Sequence, residues 1–501
     1  MRWTNLGDLI DRSRDLDRPA IFDLIDPAHP RTYSHREIDD LANGVARCLR
    51  DRGLRGAPVA IVSLNRAEYL AAYFGIMRAG CIAVPVNIKL PRETVDYVMD
   101  DAGIVLAFAD DANRGLIRAG IAVIGFDDSG PEGFAATIKP GAFESVAAGP
   151  TEVGQMLYTS GSTGRPKGVP LSHYGQLWAL STRTSGALSE NDRYIIAQPL
   201  FHMNGLFSAK TIFATNASVV LLPSFETRSY VEALAKYRVN AAGAVPTMWA
   251  RVLKETELLA QLDFSAFRRL MLGSAPMTMG LWDRIKQAFP GITMTIGFGT
   301  TEAGPAVFGP HPDGIPTPPL ALGHPLKGSD LKLVEGTDDE GVLMMRNPAL
   351  MAGYHNLPQQ TAKALRDGWY YSGDVMRRDA DGFFYFVGRA DDMFVCSGEN
   401  IYPGEIEKLL ERHPQVQQAA VVPLPDEERS QVPVAFIVIR PDAQPSVDDI
   451  RQFTLSNGPA YQHPRRIAFI AELPWAGTNK IDRRALIDRA QALEAARGWS
   501  Q

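Results

Sequence analysis

The sequence predicts a large α/β domain built on parallel sheets flanked by helices, followed by a smaller α+β unit. Two observations carry this. Through the first three-quarters of the 501 residues, short apolar runs fit for strands alternate with helical segments, the order that builds parallel sheets covered by helices. After Gly388 that order gives way to a closely spaced helix–strand–strand–helix–strand series. A chain of this length also exceeds what one hydrophobic core covers, so two or more domains are expected.

The elements follow in order. Ser34 and Glu37 form a capping box, which predicts an amphipathic helix from there to about residue 52. The apolar run 58–64 is fit for a buried strand. A second helix, roughly 67–78, ends at Gly80 and leads into the strand-like run 81–86. Residues 218–222, 229–238 and 239–245 repeat the strand–helix–strand order. In the last part, 405–413 and 447–455 read as helices, and 416–422, 432–439 and 467–470 as strands. That unit holds about a hundred residues, an ordinary size for a domain, and the boundary is expected near Gly388-Arg-Ala-Asp-Asp392. Domains of 1–388 and 389–501 follow. No internal repeat or low-complexity tract interrupts the chain.

Hydrophobic content of 45% and charged content of 22% are those of a globular protein. A net charge of −6, with basic residues scattered, gives no electrostatic reason to expect nucleic acid as a partner. Cys48, Cys81 and Cys396 lack metal-ligand spacing and are an odd number, so neither a zinc site nor a disulfide framework is indicated. The first residues carry charges where a secretory leader would be apolar, and no segment has the apolar length that spanning a bilayer requires. A reducing, cytoplasmic compartment is the expectation.

The most informative run is Tyr158-Thr-Ser-Gly-Ser-Thr-Gly-Arg-Pro-Lys-Gly168, hydroxyls, glycines and two cations between apolar Met156-Leu157 and Val169-Pro170-Leu171. Successive N–H groups in a glycine turn form an anion-binding nest, and Gly161, Gly164 and Gly168 allow close approach of the main chain to an oxygen. The run is therefore expected to hold the phosphates of a nucleotide. It is not a Walker loop, because Lys167 is followed by Gly168 rather than by Ser or Thr. The bland reading, a flexible Gly/Ser surface loop, does not account for the order of the residues or the trailing Pro-Lys-Gly.

That order resembles the signature of the adenylate-forming superfamily: acyl-CoA synthetases, standalone adenylation domains and luciferases. Further motifs carry the resemblance across almost the whole chain: Arg31-Thr-Tyr-Ser-His-Arg-Glu37, Met77-Arg-Ala-Gly-Cys-Ile-Ala-Val-Pro-Val86, Pro199-Leu-Phe-His-Met-Asn-Gly205, Leu272-Gly-Ser-Ala-Pro276, Gly297-Phe-Gly-Thr-Thr-Glu302, Trp369-Tyr-Tyr-Ser-Gly-Asp-Val375, Gly388-Arg-Ala-Asp-Asp-Met-Phe-Val-Cys-Ser-Gly-Glu-Asn-Ile-Tyr-Pro403 and Gly477-Thr-Asn-Lys-Ile-Asp-Arg-Arg-Ala-Leu486. The resemblance implies a large N-terminal domain with a small β portion, holding ATP and the acyl pocket, and a mobile C-terminal domain.

It also implies roles. ATP or AMP would be held by Thr159, Ser160, Gly161, Ser162, Thr163, Gly164 and Lys167, by Gly273, Ser274 and Ala275 beside adenine, and by Gly297, Phe298, Gly299, Thr300 and Thr301. Phe298 stands where Tyr is common, which keeps stacking and loses a phenolic hydrogen bond. Asp374 would accept the ribose hydroxyls, Arg389 would reach ribose or phosphate, and Asp391 would be the hinge. Glu302 and Thr159 would hold Mg²⁺, a hard cation that takes oxygen ligands and shares them with substrate phosphates. Ser397 and Gly398 would border the CoA tunnel. Lys480, in the terminal motif, would bridge carboxylate and α-phosphate. His202 would gate the acyl site, whose walls are expected from Phe201, His202, Met203, Ala242–Val245, Met248, Trp249, Ile296–Phe298 and Ala303–Pro305, Gly304 included. The catalytic set is Lys480, Lys167, Thr159, Glu302 and His202.

These residues suit one reaction: a carboxylate joined to the α-phosphorus of ATP, then passed to CoA. The walls are apolar or aromatic, without Arg or Lys to pair a second carboxylate and without a carboxylate to bind an α-ammonium. They point to an aromatic or medium-chain aliphatic monocarboxylic acid. The alternatives are an acyl-AMP ligase that loads a carrier protein and a catalytically silent nucleotide-binding regulator. The implied partners are a small carboxylic acid, ATP and CoA, with a monomer or homodimer as the assembly.

Overall fold

The capping box at Ser34 forms as its residues predict. Ser34 Oγ accepts from the Glu37 N–H at 3.2 Å, the Glu37 carboxylate accepts from the Ser34 N–H at 2.8 Å, and the helix runs His35–Asp51. The computed structural model describes residues 2–159, 165–184, 188–396, 399–426, 430–458, 462–476 and 480–500.

Two sheets rich in parallel pairs form the body of the large domain. The first has the order Ala122–Gly125, Leu106–Ala109, Pro58–Val62, Ile82–Pro85, Val153–Thr159, Lys167–Ser172. The second runs Thr293–Gly297, Arg269–Gly273, Ala241–Ala244, Arg193–Ile196, Ser218–Leu221, Pro19–Asp23, Arg31–Ser34. Each is parallel until its last strand, Lys167–Ser172 or Arg31–Ser34, which pairs antiparallel. The predicted parallel sheets are thus mixed at one edge. Helices such as His35–Asp51 and Ala67–Arg78 pack into the largest core, where Tyr69, Tyr73, Phe74 and Phe213 are fully or almost fully buried. A five-stranded antiparallel sheet follows, with Asp330–Val334, Glu340–Arg346 and Trp369–Arg378 in line and Leu365–Arg366 and Phe384–Arg389 both paired to Trp369–Arg378.

The C-terminal domain has a core of its own, drawn entirely from Phe394 onward. Its sheet orders Glu399–Ile401, Phe394–Cys396, Ser430–Ile439 and Val416–Asp426, with Arg466–Phe469 parallel to Ser430–Ile439. Several boundaries differ from expectation for local reasons. The helix expected at 405 begins at Pro403, because proline suits the first helical turn. The helix expected at 229 begins at Thr227, because the Glu226 carboxylate accepts from the N–H groups of Arg228 and Ser229. Among the described residues no helix is long and apolar enough to cross a membrane.

Candidate active site

The motifs meet because of where the parallel strands end. Arg193–Ile196 leads to Pro199–His202, Ala241–Ala244 to Val245, Arg269–Gly273 to Ser274, and Thr293–Gly297 to Phe298. The carboxyl ends of parallel strands are where open α/β sheets leave a crevice for ligand. A cavity of about 2940 Å³ opens there. Thr159, Lys167, His202, Met203, Val245, Met248, Gly273, Ser274, Ala275, residues 297–302, Asp374, Arg389 and Asp391 all line it.

Its floor is bare backbone. Gly273 and Gly297 face each other in register, and a Cβ on Gly273 would stand 2.7 Å from the Gly297 carbonyl oxygen. Ser274 takes φ +65°, a conformation that L-residues adopt at a cost and that gathers at functional sites. Its Oγ accepts from Asn204 Nδ2 at 3.1 Å. Thr300 Oγ1 accepts from the Ala303 N–H at 2.9 Å, which leaves its hydroxyl proton available to a ligand. Phe298 packs against Phe308 at 5.8 Å.

Thr159 and Lys167 stand opposite each other across an antiparallel pair. The segment between them therefore joins two strands, whereas a Walker loop leads into a helix. Ser160, Gly161, Ser162, Thr163 and Gly164 lie outside the described residues. Thr159 Oγ1 is buried with no hydrogen-bond partner among the described residues, a state costing about 1–3 kcal/mol until something bonds it. The Lys167 ammonium sits 4.2 Å from the centroid of the Tyr354 ring, and the Tyr354 hydroxyl donates to the Glu302 carboxylate at 3.0 Å. Burial, then the Glu302 charge, pushes the Tyr354 hydroxyl above its ordinary range, so it stays a donor. No group of three or more His, Cys, Asp or Glu among the described residues could hold a metal by itself.

Asp374 is buried and pairs with Arg389 at 2.8 Å. The same guanidinium donates to the Ser372 carbonyl at 2.8 Å and to both carboxylate oxygens of Asp391, at 2.8 and 3.2 Å. Burial alone would lower the pKa of Arg389. Asp391 and Asp374 outweigh it and hold the group firmly charged. One cation thus links the expected ribose acceptor to the expected hinge. Next to it, Arg483 bonds Asp392 at 3.3 Å and Glu407 at 2.7 Å, tying the terminal helix Arg483–Ala496 to the segment after Phe384–Arg389 and to Pro403–Leu410.

His202 stands at the N-cap of Met203–Thr215 with its ring 4.8 Å from that of Phe201. Burial, helped by the Lys89 charge, pulls its pKa down to about 4, so the imidazole is neutral at neutral pH. The backbone of Lys480 pairs with Ala476 in a short hairpin whose other pair is Trp475 and Ile481; both of these line the cavity. The Lys480 side chain, and Ser397 and Gly398, lie outside the described residues.

Four expected wall residues are corrected, since Gly243, Trp249, Ala303 and Gly304 do not line the cavity. Trp249 is fully buried in a second core, stacked on Phe267 at 5.4 Å, and does not reach the cavity. Gly304 turns toward Ala349, whose Cβ would lie 2.8 Å from a Cβ at that position, and it does not line the cavity. Sequence reasoning missed Tyr354, which lies outside every motif read from the sequence yet lines the cavity. It also missed Lys89, a cation at the cavity wall that the list of apolar residues left out.

Residues 11–355 match the family model of AMP-binding enzymes, and residues 405–480 match that of the AMP-binding enzyme C-terminal domain. The chain belongs to this family and is an AMP-forming acid–thiol ligase in class. It is similar to a fatty acid–[acyl-carrier-protein] ligase, ScoC, of Streptomyces coeruleorubidus, with 32% identity over 92% of each chain. It is similar to a feruloyl-CoA synthase of an Amycolatopsis species, with 30% identity over 90% of this chain and 92% of the relative. Among solved structures, the anthranilate CoA ligase AuaEII in complex with anthranoyl-AMP superposes with a TM-score of 0.88, 27% identity and 98% coverage of both chains.

Proposed function

We propose that the protein activates an apolar monocarboxylic acid, aromatic or medium-chain aliphatic, as its acyl-adenylate and then transfers the acyl group to CoA in a reducing cytosol. The observation that carries the reading is convergence: Thr159, Lys167, Glu302, Asp374 and Arg389 line one cleft with the neighbours of Lys480.

A carboxylic acid of pKa about 4–5 is already ionised at neutral pH. Its attack on the α-phosphorus, with the bond to pyrophosphate breaking, therefore needs no base. The obstacle is charge, since an anion approaches a polyanion. Prepositioned cations and N–H dipoles in a closed site meet that need. Lys167 and the 160–164 run hold the outer phosphates, the Thr300 hydroxyl donates to the α-phosphate, and Asp374 accepts the ribose hydroxyls. Lys480 bridges carboxylate and α-phosphate. The unpartnered Thr159 hydroxyl and the buried Glu302 carboxylate fit a divalent cation that completes its shell with phosphate oxygens. Magnesium bound there supplies charge neutralisation to the polyphosphate.

On this reading the chain divides into 1–388 and 389–501, with Asp391 as the swing point. Rotation there withdraws Lys480 and brings Ser397-Gly398 to the thiol, which displaces AMP. His202, uncharged, gates the acyl site without repelling or attracting the acid. A carrier protein is the second reading of the acceptor, favoured by the similarity to an acyl-carrier-protein ligase. Acid-dependent pyrophosphate release from ATP tests the first half-reaction. Parallel assays with CoA and with a phosphopantetheinylated carrier test the second. Release with no acid of either class, or only with amino acids, refutes the proposal.

A further inference from the structure

The strands Val153–Thr159 and Lys167–Ser172 deliver the two ends of the 160–164 run, and both are gripped by residues outside it. On the first strand Tyr158 precedes Thr159, and successive side chains leave a strand on opposite faces. Whatever fixes the Tyr158 ring therefore fixes the face that Thr159 presents. The helix Arg92–Ala102 supplies that hold: the Tyr158 hydroxyl donates to the Asp101 carboxylate at 2.7 Å. Burial, then the bond to Asp101, raises the pKa of this hydroxyl, so it remains a donor. One turn earlier on the same helix, the Tyr97 ring centroid lies 5.2 Å from the Arg165 guanidinium. One helix thus holds a residue on each side of the run.

The second strand is held by the turn that contains Tyr354. Gly168 stands opposite Tyr158 in register, and a Cβ there would lie 3.1 Å from the Tyr158 ring and 3.1 Å from the His355 Cβ. Its missing side chain leaves room for both to close over the hairpin. The His355 N–H donates to the Gly168 carbonyl at 2.8 Å, and the neighbouring Tyr354 ring holds the Lys167 ammonium. His355 then reaches back to the first grip. Its Nε2–H donates to the Asp101 carbonyl oxygen at 2.9 Å, the tautomer that an acceptor-only oxygen requires. The Asn356 amide donates to the Asp101 carboxylate at 3.4 Å. Asp101 therefore joins the two grips into one clamp, although neither it nor His355 lines the cavity.

We propose that Asp101 is a positioning residue for the outer phosphates of ATP: with His355 it clamps both strands of the hairpin, so that Thr159 and Lys167 meet the β- and γ-phosphates already in place. A site ordered beforehand spares the ordering cost that binding otherwise carries. The inference rests on the ATP-dependent reading above and extends it to residues outside the cleft.

The discriminating ligand is AMP, which lacks both outer phosphates. Calorimetry on the full-length protein measures binding of magnesium–ATP and of AMP to the parent, Asp101→Ala, Asp101→Asn, Tyr158→Phe and the double variant Asp101→Ala/Tyr158→Phe. Pyrophosphate release with cinnamate and with decanoate is followed in parallel. Asp101→Ala and Tyr158→Phe should each raise the Kd for ATP about 5-fold or more, the scale of a lost hydrogen bond to a charged group. The Kd for AMP should stay within about twofold. Asp101→Asn keeps an acceptor and should return ATP binding to within about twofold of the parent. The double variant should bind ATP within about twofold of the weaker single variant, because both changes remove one bond. Tyr158→Phe loses a single oxygen atom, so it keeps the test open should Asp101→Ala fail to fold. Equal weakening of ATP and AMP, unmoved ATP binding, additive losses, or asparagine no better than alanine overturns the inference. Selective loss of ATP binding, with no pyrophosphate released by the parent from any acid of either class, would uphold the clamp and refute the ligase reading instead.

Discussion

Gly373→Ala is a small change with two separable costs. Gly373 sits at φ +70°, where a Cβ costs about 1 kcal/mol or more. The new methyl would also stand 2.8 Å from Arg389 Nη2 and 3.2 Å from its Cζ. An ordinary contact begins at 3.4 Å, so the guanidinium must retreat by about 0.6 Å. The 2.8 Å bonds from Arg389 to Asp374 and to the Ser372 carbonyl then stretch toward 3.4 Å, beyond useful hydrogen-bond length. Arg389 is 39% exposed, so solvent screening limits that second loss to about 1 kcal/mol. The sum is a destabilisation of about 2 kcal/mol. The functional effect falls on Asp374, the proposed ribose acceptor, which loses one of its partners, and the KM for ATP should rise about 10-fold, the equivalent of 1.4 kcal/mol. Denaturant unfolding followed by fluorescence and ATP-dependent pyrophosphate release read the two effects separately. A folded variant with an unmoved midpoint and an ATP KM within about twofold of the parent would refute the reasoning, because neither the strain nor the clash would be real.

Other consequences follow from buried groups. His173 is buried, accepts the Leu6 N–H at its Nδ1 at 2.9 Å, and has its pKa pulled down to about 4 by burial. Between pH 6.5 and 4 the unfolded chain takes up a proton there that the folded chain refuses, so stability falls as pH falls through that window. His173→Asn should remove about 1.4 kcal/mol per pH unit of that slope, measured as the difference between the two unfolding profiles. Equal slopes would place the histidine in water. Lys210 is fully buried with Gln176 as its hydrogen-bond partner at 2.9 Å, and burial lowers its pKa to about 7. Lys210→Met should stabilise the protein by about 1–4 kcal/mol near pH 7, and the gain should shrink as pH rises toward 10.5, where the unfolded lysine also loses its proton. A destabilised variant would assign the ammonium a structural bond not seen here. Glu302→Gln should raise the magnesium concentration for half-maximal pyrophosphate release by about 10-fold or more, and an unchanged magnesium dependence would remove Glu302 from the metal site.

What the sequence showed and what it hid have physical causes. The helix His35–Asp51 was legible because a capping box and an amphipathic stripe coincide. Met203–Thr215 was not, because residues 205–215 are buried on every side and no polar face marks a period. That helix lines the cavity through Met203, Phe207 and Thr211, so this part of the wall was hidden with it. The strings around Thr159, Ser274, Phe298 and Asp374 were legible locally, since each carries its own glycine or hydroxyl chemistry, and the structure brings them to one cavity. Trp249 was misread for the opposite reason: sequence adjacency to Val245 and Met248 says nothing about which face of Pro246–Val252 each residue takes. The Arg389 bridge between Asp374 and Asp391 needed three dimensions, because residues fifteen apart meet only through the register of Trp369–Arg378 against Phe384–Arg389.

The proposed mechanism requires a lysine from the small domain to enter a cleft built by the large one. Its most direct test separates the two half-reactions of Lys480→Ala. Acid-dependent pyrophosphate release should fall by at least about 100-fold, the range for losing one prepositioned donor to transition-state charge. Thioester formation from supplied acyl-adenylate and CoA should stay within about threefold, since that step does not use the ammonium. Equal losses in both assays, or adenylate formation at the parental rate, would contradict it.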